Sequence, residues 1–80
     1  MHFQLDDTVR VVHLLEAERE VTGSAAVPPQ PRIGDTGTIV ADVGEGLYLV
    51  EHATDDGVTL WMAELAVEEL ALIERADGGD

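Results

Sequence analysis

Turn signals recur roughly every eight to ten residues through the second half of this chain: Gly34-Asp-Thr-Gly37, Gly44-Glu-Gly46 and Asp55-Asp56-Gly57. Segments that short have no room for helices of ordinary length, and they carry β-branched or alternating residues. Residues 38–43 read as a strand with Ile39, Ala41 and Val43 on one face. Residues 47–53 read as the next strand and residues 58–63 as another. The glycines supply the positive φ that tight hairpins require. Residues 67–70 read as one helical or 3₁₀ turn, and residues 71–74 as a closing strand.

The first half is less regular. Residues 8–14 alternate as a strand, with Val9, Val11 and His13 on one face, after a turn at Asp6-Asp7. Leu14, Leu15, Ala17 and Val21 have a spacing that allows one or two helical turns. Pro28, Pro29 and Pro31 then break regular structure, because each lacks a backbone donor. The outcome is a long first loop, residues 15–33. The Ala-Asp-Gly-Gly-Asp tail, residues 76–80, is expected to be flexible.

Length and charge narrow the function classes. Eighty residues make one domain. Seventeen acidic side chains oppose four arginines and no lysine, a net charge of −13. A field that negative repels phosphate backbones, so nucleic acid is excluded as a partner. The absence of cysteine excludes disulfides, thiolate metal sites and cysteine nucleophiles. No apolar run reaches the length of a membrane span. The first residues do not have the pattern of a signal peptide. A cytoplasmic location is expected. Self-repulsion favours disorder, but 45% of the residues are hydrophobic and they are organised, so a folded domain is expected. Salt should stabilise it by screening the carboxylates. The acidic, lysine-free composition fits adaptation to salt, and a GC-rich genome depletes lysine as well.

Together these segments describe an all-β domain, a small five-stranded SH3-like barrel over residues 1–75. Gly34-Asp-Thr-Gly-Thr-Ile-Val40, Gly46-Leu-Tyr-Leu-Val-Glu51, Asp56-Gly-Val-Thr59 and Glu69-Leu70 resemble a family of small bacterial SH3-like domains of unknown function. The layout is also similar to the barrel of the nitrile hydratase beta subunit and to the ferredoxin–thioredoxin reductase variable chain. In those, an opening matched here by Asp7-Thr-Val-Arg-Val11 precedes a long variable loop. His52 departs from the family pattern, which has Phe there, and residues 15–32 look longer than in the plain family. The resemblance implies an accessory or docking role rather than catalysis, antitoxins included.

The residues offer little catalytic chemistry. Glu51 and His52 are adjacent on a strand and point to opposite faces, and Asp55 and Asp56 are explained by a hairpin. No second histidine stands at ligand spacing, so neither a metal nor any other cofactor is expected. His13 reads as a partly buried strand residue, and His2 lies at the terminus. Ser24, the sole serine, sits in a Gly/Ala/Pro loop with no base beside it. The glycine turns lack the helix and lysine of a phosphate loop.

Trp61 is the sole tryptophan. Val58, Leu60 and Met62 form the more continuously apolar set, which puts Trp61 on the outer face as a contact anchor. The alternative makes Trp61 core and leaves Met62 outside. Tyr48 shares its face with Val50 and His52, against Leu47 and Leu49. The expectation is a non-enzymatic acidic module that docks on a basic protein, in sharper form an antitoxin or immunity-type neutraliser. Trp61 and Tyr48 would anchor, and Glu51, Asp55, Asp56 and Glu64 would supply charge. The alternatives are an accessory subunit of a metal or redox enzyme, by fold analogy, and a small-molecule or hydrolytic enzyme built on convergent carboxylates. A homo-oligomer stays open, and the Pro-rich residues 27–32 are either a recognised segment or a plain connector.

Overall fold

The computed structural model describes residues 3–76. It has five strands: β1 (Thr8–Val11), β2 (Thr36–Gly44), β3 (Leu47–Ala53), β4 (Thr59–Ala66) and β5 (Leu70–Glu74). A single 3₁₀ turn, Val67–Glu69, separates β4 from β5. There is no α-helix among the described residues, so the fold is all-β. Every pairing is antiparallel, and the strands lie in one sheet in the order β4-β3-β2-β1-β5. The expected flexible tail lies outside the described residues from residue 77 onward, as does His2.

The β2–β3 connection runs through three consecutive residues of positive φ: Gly44 at 88°, Glu45 at 58° and Gly46 at 78°. Glycines flank the one residue that carries the steric cost of that region. Gly37 serves a different need. A Cβ there would stand 2.6 Å from the Val50 side chain and 2.7 Å from the Glu51 carbonyl oxygen. Only a hydrogen in place of the side chain lets β2 and β3 approach so closely.

All five strands feed one core. Val9, Val11, Ile39, Tyr48, Val50, Trp61, Ala63, Leu65 and Leu70 are buried together with Phe3. No second layer of secondary structure exists among the described residues; the core lies on one face of this sheet. Along the β3–β4 pair the inward ladder is Tyr48 opposite Leu65, Val50 opposite Ala63 and His52 opposite Trp61. Leu49, Glu51, Met62 and Glu64 face the other way.

Several expectations are corrected. Trp61 and Tyr48, each 1% exposed, are the two largest fully buried side chains and not surface anchors. The indole N–H donates to Asp35 Oδ2 at 3.0 Å, and the backbone N–H of Phe3 donates to the Tyr48 hydroxyl at 3.2 Å. Their polar atoms are thus satisfied while their large apolar areas are buried. Of the apolar set that suggested the opposite, Val58 is exposed and Leu60 and Met62 are half-buried.

The first strand stops at Val11. The N–H groups of Val12 and His13 turn to the Glu69 carbonyl, and His13 is exposed. In β2, bulges between Ile39 and Ala41 and between Asp42 and Gly44 break the alternation. Ile39 is therefore core, whereas Val43 is exposed.

The first loop contains no helical turn. Its backbone groups are used elsewhere: the Gln30 side chain accepts from the N–H of Arg19 and donates to its carbonyl. Thr22 bridges to Met62 in both directions, at 3.0 and 2.7 Å, and Ser24 donates to the Thr59 carbonyl. Residues 15–24 form a strap along the outer edge of β4. Covering that edge removes an open template for pairing with other chains.

Candidate functional site

The strap is fastened at Arg19. Its guanidinium donates to both carboxylate oxygens of Glu69, at 2.6 Å and 3.0 Å. Both side chains are buried. Glu69 closes the 3₁₀ turn and accepts two further bonds, from the backbone N–H of Leu15 and of Ala66. Burial pushes the Glu69 carboxyl up, but the bonds from Arg19, Leu15 and Ala66 outweigh it and hold the group below its ordinary range. The same pair raises Arg19. Arg19 also donates to the Glu64 carbonyl, which binds strap and β4 together at that end.

Between strap and sheet lies a solvent-open groove of about 430 Å³. Leu49, Met62, Ala63 and Val21 give it an apolar lining, and Glu16, Glu20 and Glu64 add carboxylates. The one cation in its lining is Arg19, already neutralised by Glu69. The free charge of the groove is negative.

Two of the charged residues expected at a partner site fall on this face. Glu64 lines the groove, and Glu51 lies beside Met62 on the same side of the sheet. The Glu51 carboxylate accepts from the Thr59 hydroxyl. Asp55 and Asp56 stand exposed on the β3–β4 turn, where Asp56 accepts from the Thr54 hydroxyl. Trp61 and Tyr48 lie on the opposite, buried face.

Sequence reasoning missed Arg19, Glu69, Glu16, Glu20 and Val21. One signal was present: Arg19 is the only cation within the Glu-rich residues 16–20. A lone arginine among carboxylates is a candidate for a specific pairing. Its partner lies fifty residues away, and no local pattern connects the two.

A second polar cluster sits under the β3–β4 end. His52 packs on Trp61, ring centres 5.4 Å apart, and its Nδ1 bonds the Thr36 carbonyl. Asp35 Oδ1 stands 4.0 Å from His52 Nε2, while Asp35 Oδ2 accepts from the Trp61 indole and from the Arg32 N–H. These bonds orient the indole and brace the turn before β2. His52 thus turns an aromatic face to Trp61 and a polar rim to Thr36 and Asp35. Among the described residues, no group of three or more His, Asp or Glu side chains is placed to hold a metal ion. No helix among them is long and apolar enough to cross a membrane.

Comparison with known proteins gives no assignment: no family model, no curated protein and no solved structure matches this chain.

Proposed function

We propose that this chain is a non-enzymatic acidic module, an SH3-like barrel that docks on a basic protein through the outer face of β3 and β4. The strand order supports the barrel reading. β1 to β4 neighbour one another in chain order and the last strand, β5, pairs with β1, which is the arrangement a small barrel uses to limit its edges.

The groove carries the docking reading. Its carboxylates have no free cation against them, because Arg19 is spent on Glu69. Elsewhere Arg75 is paired with the buried Asp7, which leaves Arg10 and Arg32 as the remaining cations of the sequence. A surface so one-sided steers basic partners and repels phosphates and anionic membranes. Covering the basic nucleic-acid site of a toxin, as an antitoxin does, is the sharper form of this role.

The test is affinity capture from the native lysate at low and high salt, with wild type beside a Glu20→Lys/Glu64→Lys double variant. A stoichiometric basic partner is expected, lost at high salt and lost with the variant. Equal capture by both proteins overturns the groove as the seat. No partner at either salt overturns the steering argument.

A further inference from the structure

We infer that the groove seats an aliphatic side chain flanked by lysine or arginine, presented by a protein partner through side-chain insertion rather than strand addition. This rests on the docking reading above and specifies what the groove takes.

Three observations select the occupant. The floor is aliphatic: Leu49 and Met62 from neighbouring strands and Val21 from the strap. It therefore gains from burying a carbon side chain. The rim has carboxylates on both sides, Glu16 and Glu20 on the strap and Glu64 on β4. Cations on either side of the inserted group would meet both walls. Finally, the hydrogen-bonding edge of β4 is already occupied, by Thr22 and Ser24 at one end and by the Arg19 guanidinium at the other. A partner cannot add a strand there, so side chains must carry the contact. A second copy of this chain is a poor occupant, since two molecules of charge −13 repel and each has few uncommitted arginines.

The strap is one wall of the groove, so the Arg19–Glu69 pair positions the site. A loosened strap widens the groove and moves Glu16 and Glu20 away from Glu64.

The probes are two capped peptides of equal charge, Lys-Leu-Lys-Leu-Lys and Lys-Ser-Lys-Ser-Lys, titrated at low salt into protein labelled for NMR. The leucine peptide is expected to bind about tenfold tighter, because it buries an aliphatic side chain. Its largest shifts should fall on the methyl groups of Val21, Leu49 and Met62. A Glu20→Gln/Glu64→Gln variant should weaken both peptides and leave the spectrum folded. Equal affinities, or shifts centred outside the groove, overturn this inference and leave a basic partner in place. Binding by neither peptide overturns the docking reading as well.

Discussion

Arg19 and Glu69 meet at 2.6 Å across fifty residues of sequence, both side chains buried. The pair joins the least regular part of the chain to the Val67–Glu69 3₁₀ turn. Without it the strap has a two-way bridge at Thr22, one bond at Ser24 and the Gln30 clamp to hold it. The strap, one wall of the groove, is therefore held by this buried ion pair together with those hydrogen bonds.

Replacing Arg19 should expose this dependence. Arg19→Met leaves Glu69 buried without its cation, a change that costs on the order of 3 kcal/mol when one partner of a buried pair is removed. Urea unfolding should show that loss. Hydrogen exchange should show more: the amides of Thr22 and Met62 lose protection, while those of Ile39 and Val50 keep theirs beyond the global change. Uniform loss across all four amides would mean the strap is no separate unit.

Acid should weaken the fold through two carboxylates. Burial pushes Asp7 up, but the backbone N–H groups of Gln4 and Ala76 and the Arg75 guanidinium outweigh it, so its pKa is lowered like that of Glu69. A lowered folded-state pKa gives stability that is complete above the unfolded value, near pH 4, and is lost as pH falls through the folded value. Relief of repulsion among the other carboxylates works in the opposite direction. A difference measurement separates the two effects. The stability gap between wild type and Glu69→Gln should be constant from pH 8 to about 5 and narrow below about 4. A gap unchanged down to pH 2 contradicts the assignment.

Salt should stabilise the protein. With 17 carboxylates against 4 arginines, screening removes more repulsion than attraction. The urea midpoint is expected to rise between low salt and about 1 M NaCl. The buried Arg19–Glu69 and Asp7–Arg75 pairs are less screened and should survive that change. A falling midpoint would refute this balance of charges.

Gly37 should tolerate no side chain. Gly37→Ala places a methyl group 2.7 Å from the Glu51 carbonyl oxygen, and a backbone atom cannot swing aside. The strands must part, at a cost of about 1–3 kcal/mol typical of overpacking. Thermal unfolding measures it; a wild-type midpoint would mean that β2 and β3 adjust freely there.

Trp61 should behave as a core residue. Its emission is expected to be blue-shifted and poorly quenched by acrylamide in the folded state. Trp61→Phe removes the bond to Asp35 and some packing, for a loss of about 1–3 kcal/mol. Strong quenching of the native protein would place the indole back on the surface.

The sequence alone determined the local architecture. The hairpin at residues 44–46, the turn at residues 55–57 and the turn over Val67–Glu69 lie where glycine, aspartate and spacing put them, because turn chemistry acts over a few residues. It also determined the charge. What tertiary structure decided was which face of each strand is inside and what the long loop does. Alternation in β4 allows either Trp61 or Leu60 and Met62 to face inward. Packing with residues of the other strands and the Asp35 acceptor place Trp61 inside, and Leu60 and Met62 are left half-buried. The strap depends on a contact between Arg19 and Glu69 that no short window contains. Periodicity records neighbours along the chain; ion pairs and edge coverage are set by neighbours in space.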